Sequence, residues 1–146
     1  MKTLRYYSTA DHGKPLAAAT SGAAGLDIRV LEDVELKPAD HRDINTGLHV
    51  EIPRDHVGIV VPRSSLGRKG LRLGNTVGII DSDYRGEIIL NCHCDRNKAI
   101  RMTAGDRVAQ MLILPVTKVY TQAVKSLDEL TTTTRGTAGF GSTGVR

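Results

Sequence analysis

Hydrophobic and polar positions alternate along most of this chain, in short runs. Leu26–Val30, Val34–Leu36, Ile44–Ile52, Val57–Val61, Ile88–Cys94, Arg107–Leu114 and Lys118–Tyr120 are β-branched or alternating stretches, each bounded by Gly, Pro, Asp or Asn. Helical spacing is scarce. One or two turns follow Pro62 through RSSLGRKG, and another lies near Ser126–Leu130. Recurrent short strands with so few helices predict an all-β fold, a barrel or sandwich of jelly-roll type, rather than βαβ units. Gly78, Ile79 and Ile80 run into an acidic turn that leaves at Gly86, which reads as a hairpin-like element.

Two runs break the alternation. GIVVP at 58–62 and MLILP at 111–115 are apolar on both faces, which implies burial on both sides. Periodicity leaves two explanations open, subunit packing or a covering loop. After Leu130 the pattern stops. TTTTRGTAGFGSTGVR has no periodicity and reads as a mobile tail. The expected organisation is a distorted β-barrel domain over residues 1–130 and a glycine-rich C-terminal arm over 131–146.

Composition narrows the class. The 146 residues suit one domain, 40% are hydrophobic, and aromatics are only 3% with no tryptophan, so the core must rest on Val, Ile, Leu and Ala. Such a lean core points to help from association. The net charge of +4 comes without runs of like charge and with few rings for base stacking. That reads as a solvated surface with no nucleic-acid partner. No apolar stretch reaches membrane-spanning length and the first residues lack a signal-type apolar core, so a cytoplasmic protein with no membrane partner is expected. Cys92 and Cys94, two apart on a strand, face one side and are expected to be reduced thiols. His93 alternates away from them and no second cysteine pair exists, which argues against a metal.

Five glycine-containing polar segments exceed what a core needs. AAGLDI places Asp27 on a strand after Gly25. PRSSLG sets Arg63, Ser64 and Ser65 at a helix start, a place that suits phosphate but also simple capping. GNTVGIIDSDYRGEI holds Asn75, Gly78, Asp81, Asp83 and Tyr84, and a carboxylate in such a turn can serve as a general base or partner a hydrated metal. GDRVAQM carries Gln110 into an apolar run. In the arm, Gly141, Ser142 and Thr143 can form a backbone nest for phosphate, with Arg135 supplying a bidentate fork and Phe140 an unhoused ring. No Walker A loop, zinc-deaminase signature or strand–helix nucleophile elbow occurs.

In this order, spanning residues 24–144, the five segments resemble the motifs of the trimeric dUTP pyrophosphatases (dUTPases). The resemblance implies a jelly-roll subunit, a homotrimer whose active sites draw on three chains, and hydrolysis of dUTP to dUMP and pyrophosphate with Mg²⁺. That activity keeps uracil out of DNA and supplies dUMP for thymidylate synthesis. It also implies roles. Asp81 is the base activating water for attack on the α-phosphorus, and Gln110 hydrogen-bonds near that phosphate. Asp27 meets magnesium through water. Arg63, Ser64 and Ser65 contact phosphates. Asn75 and the backbone through Gly78 pair with uracil, and Tyr84 lies under the deoxyribose. Arg135 and Ser142, with Gly141 and Thr143 around them, hold the γ-phosphate while Phe140 stacks on uracil. Two positions depart from the usual pattern: Ala138 stands before Gly139 in the arm, and Ile28 ends the first segment.

Two alternatives share the fold. A dCTP deaminase would need a glutamate where Asn91 stands. A dUTPase-like regulatory binding protein would keep the body for a partner other than nucleotide.

Overall fold

The alternating runs become strands in the computed structural model, which describes residues 2–9 and 14–139. Strands β1 (Arg5–Ser8), β2 (Leu26–Arg29), β3 (Val34–Leu36), β4 (His41–Glu51) and β5 (His56–Pro62) precede a short helix α1 (Ser64–Arg68). Strands β6 (Leu71–Leu73), β7 (Gly78–Ile80), β8 (Glu87–Cys94), β9 (Ile100–Met102) and β10 (Arg107–Pro115) follow, and a single 3₁₀ turn spans Leu127–Glu129. The strands form two four-stranded sheets, β1-β4-β8-β6 and β2-β10-β5-β7, and a β3-β9 pair, all antiparallel. This is the all-β, jelly-roll-like architecture expected from the pattern. No helix among the described residues is long and apolar enough to cross a membrane.

One apolar cluster fills the space between the sheets. Ile28, Val60, Val108 and Met111 come from one sheet, Ile44, Val50, Ile88 and Leu90 from the other, and Leu36 and Ile100 from the small pair. Period-two burial does the sorting. Along β8, Ile88, Leu90, Cys92 and Cys94 are buried, while the residues between them turn outward. The two cysteines are free, as their shared face predicts. Burial, with a smaller contribution from the Asp43 charge, pushes the Cys92 thiol up to about 12.

Two expectations fail, each for a physical reason. The segment from Gly78 through Gly86 to β8 is not a hairpin. β7 pairs with β5, whereas β8 pairs with β4 and β6, so the intervening turn carries the chain from one sheet to the other. Lys118–Tyr120 forms no strand. Val119 is 76% exposed and Tyr120 fully so, and no strand among the described residues pairs with them.

A bulge in β4 organises the turn side of the molecule. Gly47 has φ 63°, and the ladder to β8 shifts register between Asn45 and His49. One carboxylate oxygen of Glu87 accepts from both Thr46 N (3.0 Å) and Gly47 N (2.7 Å), satisfying the donors that the bulge removes from the ladder. Thr46, the buried polar residue of this core, donates to the Ile88 carbonyl and accepts from Leu48 N.

Glu87→Ala is therefore expected to lower stability by about 2 kcal/mol, read as a shift in urea midpoint, because two half-buried N–H groups lose a charged acceptor. An unchanged midpoint contradicts that role. Native Cys92 is expected to resist Ellman's reagent at pH 8 and react only on unfolding, since so raised a thiol holds almost no thiolate there.

Candidate active site

The pairing of β2 with β10, and of β10 with β5, brings three of the motif segments together. Register places Gln110 opposite Asp27 on one side and Val61 on the other. Their neighbours Ile28, Ala109 and Val60 point into the core, so Asp27, Gln110 and Val61 share the outer face. The Asp27 side chain is only 9% exposed and is held by two guanidinium groups. Arg63 Nε meets one carboxylate oxygen at 3.0 Å and Arg107 Nη1 meets the other at 3.0 Å. One carboxylate between two arginines leaves a local excess of one positive charge at the sheet edge. Such a lip suits polyphosphate.

Sequence reasoning missed Arg107. Strict alternation from Gln110 would turn it inward, but a register shift between Arg107 and Ala109 buries Val108 and Ala109 in succession. The bulge re-aims Arg107 at Asp27. The signal available in the sequence was an arginine inside GDRVAQM itself.

Gly25 completes this corner. A Cβ there would fall 2.7 Å from Gln110 Oε1, so only glycine lets the amide lie against β2. Arg63 occupies the capping position of α1, and no side chain caps the helix. The simple capping explanation for Ser64 and Ser65 therefore fails, and both residues are exposed beside Arg63.

Asn75, Gly78, Asp81 and Tyr84 sit at the other edge of the same sheet. Gly78 opens β7 tightly against Val60, where a Cβ would meet the Val60 Cβ at 3.1 Å. Asn75 is exposed in the β6–β7 loop, where Thr76 takes φ 66°. Past β7, the Asp81 carbonyl accepts from Tyr84 N at 3.1 Å, closing a turn that leaves the Asp81 residue exposed. Tyr84 folds over Gly86, which has no Cβ to block the ring, and its hydroxyl donates to the Glu87 carbonyl at 3.0 Å.

The two groups do not meet within one chain. The order β2-β10-β5-β7 puts three strand spacings between Asp27 and the Asp81 edge, and Asp81 lies two outward-facing positions further along. Standard sheet geometry makes that roughly 20 Å. Between them the outer face is apolar: Ile59 pairs with Ile79 and with Leu112, and Val57 pairs with Leu114. Ile79 is 59% exposed and Leu114 44%.

Arg135 is exposed beyond the 3₁₀ turn, its Nε donating to the Ala138 carbonyl at 3.0 Å, with Gly136 at φ 53°. Phe140, Gly141, Ser142 and Thr143 lie outside the described residues. Among the described residues no group of three or more His, Cys, Asp or Glu side chains could hold a metal ion. Asn91 donates to Asp43 Oδ1 at 2.6 Å and its Oδ1 meets His41 Nε2, so an amide engaged at both ends stands at the position where the deaminase alternative needs a glutamate.

Comparison with known proteins gives the same answer as the motifs. The dUTPase family model matches residues 11–144. The deoxyuridine 5'-triphosphate nucleotidohydrolase of Laribacter hongkongensis is 45% identical over 133 residues, covering 88% of this chain and 87% of that protein. Its counterpart from Pseudomonas entomophila is 45% identical over 132 residues, covering 88% and 85%. Among solved structures, the dUTPase of Staphylococcus bacteriophage 80alpha with dUPNHPP superposes with a TM-score of 0.86 at 26% identity, covering 99% of this chain and 100% of that one. The chain belongs to the dUTPase family.

Proposed function

We propose that this protein hydrolyses dUTP to dUMP and pyrophosphate, in active sites shared between the chains of a homotrimer. The observation that carries the reading is the separation on one sheet. A cationic corner (Asp27, Arg63, Arg107, Gln110) occupies one edge and a carboxylate turn (Asp81, Tyr84) the other. Neither half suffices alone, because in-line attack needs base and phosphate contacts around one phosphorus. A neighbouring chain brings the missing half, and the apolar face between the halves is the surface it covers.

In the assembled site, Asn75 and the backbone through Gly78 pair with the uracil edge. The Tyr84 ring, fixed by its bond to the Glu87 carbonyl, lies against the deoxyribose and leaves no room for a 2′-hydroxyl. Arg63, Ser64 and Ser65 of another chain hold the phosphates. Asp27 is the arginine organiser: with both oxygens engaged, it fixes the Arg63 fork before substrate arrives.

The Asp81 carboxylate takes a proton from water as that water attacks the α-phosphorus. Pyrophosphate leaves as the bond to the bridging oxygen breaks. Gln110 orients the water and the α-phosphate oxygen. Arg135, with Gly141, Ser142 and Thr143, closes on the γ-phosphate, and Phe140 covers the uracil.

The donor set fits Mg²⁺ as a hydrated ion carried by the triphosphate: no group of three ligand side chains stands among the described residues, and each Asp27 oxygen, already paired with an arginine, would keep a lone pair for a metal-bound water. When bound, the ion neutralises phosphate charge.

Asp81→Asn is expected to lower kcat by ~10²–10⁴-fold, since the amide cannot accept the proton, while binding of a non-hydrolysable dUTP analogue stays within a few-fold. Wild-type turnover in that variant, measured as pyrophosphate release, sinks the assignment of the base.

A further inference from the structure

The net charge of +4 is not spread over the surface. Two adjoining clefts share Arg96 where the α1–β6 turn meets the β8–β9 loop. Arg68, Lys69, Arg96, Lys98 and Arg101 line one, and Arg72 and Asp95 line the other. Counting Glu35, which pairs with Arg101, this surface holds six of the chain's 20 Lys and Arg but two of its 16 Asp and Glu. The remainder carries fourteen of each sign, so the whole excess sits here.

Local backbone geometry builds the cluster. Helix α1 ends at Arg68 with Lys69 as its C-cap, the chain turns at Gly70, whose φ of 98° suits glycine, and the Gly70 carbonyl accepts from Asp95 N at 2.9 Å. That bond docks the α1–β6 turn on the β8–β9 loop. The Arg96 stem then lies where a Gly70 side chain would be, joining the two clefts. Arg72 and His93 pair with Asp95, and Arg101 with Glu35. Arg68, Lys69, Arg96 and Lys98 are exposed and have no carboxylate partner among the described residues.

Four unpaired cations side by side repel one another unless an anion lies across them. Besides the charges, the first cleft offers a partner only Ala99, the edge of Ile100 and the aliphatic stems of the cations themselves. Ile100 beneath it is buried, and no exposed large hydrophobic side chain belongs to it. A protein partner needs an apolar centre with a polar rim, and stable membrane anchoring needs an apolar chain or face beside the basic patch. The one ring lining the clefts, His93, is tied to Asp95 and set edge-on to His41, so recognition rests on phosphate, for which the arginine fork is suited.

We propose that this surface binds the phosphate backbone of nucleic acid without reading its sequence. Net charge averaged over the chain conceals the site, which is why composition alone argues against such a partner. The cluster includes none of the residues assigned to hydrolysis, so its occupation is independent of the active site. Trimer formation would place three such surfaces on one particle and strengthen binding through multivalency.

The test is fluorescence anisotropy with a labelled DNA duplex of about 20 base pairs, at 50 and 200 mM NaCl. The wild-type protein is compared with a variant carrying Arg68→Gln, Lys69→Gln, Arg96→Gln and Lys98→Gln. A control of equal charge loss carries Lys2→Gln, Lys14→Gln, Arg54→Gln and Lys125→Gln. Neutralising about four phosphates predicts that wild-type affinity falls roughly a hundredfold between the two salt concentrations. The cleft variant is expected to lose at least tenfold in affinity at 50 mM and most of the salt slope, with kcat and KM for dUTP unchanged. The control is expected to bind like wild type. No wild-type binding at 50 mM, or equal losses in cleft variant and control, overturns the proposal. Tighter binding of poly-glutamate than of DNA at this surface assigns it to an acidic polypeptide and overturns it too.

Discussion

The strand order β2-β10-β5-β7 is the constraint on which the rest of the molecule depends. It is wide enough to keep Asp81 roughly 20 Å from the Asp27–Arg63–Arg107 corner, farther than a triphosphate nucleotide lets base and phosphate grip be apart around one phosphorus. In the proposed trimer, a chain folded this way carries two half-sites facing different neighbours. Association is then part of the chemistry as well as of stability.

The apolar content follows the same logic. A core of aliphatic side chains with so few aromatics leaves Ile59, Ile79, Leu112 and Leu114 on the outer face of that sheet, with Ile79 and Leu114 largely in water. Beyond Pro115, Val116, Val119, Tyr120, Val124, Leu127 and Leu130 are all exposed. Among the described residues nothing covers these side chains, and the cost of leaving them wet, about 25 cal/mol per Å² of apolar surface, favours a neighbour. The proposed trimer accounts for the doubly apolar runs at 58–62 and 111–115 by subunit packing rather than a covering loop.

Much of this was legible in the chain because period-two alternation is a direct record of which face is buried. β8 reads its burial from Ile88 to Cys94 without error. The failures lie where alternation is interrupted or where pairing is non-local. The bulge at Val108–Ala109 hid Arg107, since an extra inward residue inverts the face of everything before it. The segment after Gly78 looked like a hairpin because sequence proximity cannot tell which sheet a strand joins. Lys118–Tyr120 has strand-forming residues but pairs with no strand among the described residues. The basic cluster arises from a contact between Gly70 and Asp95, segments too distant for any local pattern to link. The five motif segments were legible as segments, while the division of their described residues between two sheet edges was not.

Sharing of the active site is most directly tested by complementation. Asp81→Asn protein and Arg63→Ala/Gln110→Ala protein, each inactive alone, are unfolded together in equal amounts and refolded as mixed trimers. If base and phosphate contacts come from different chains, about a quarter of the sites receive both intact halves, and dUTP hydrolysis returns to about a quarter of the wild-type level. Mixed trimers that remain as inactive as either parent contradict the account, because every site would then draw both halves from one chain.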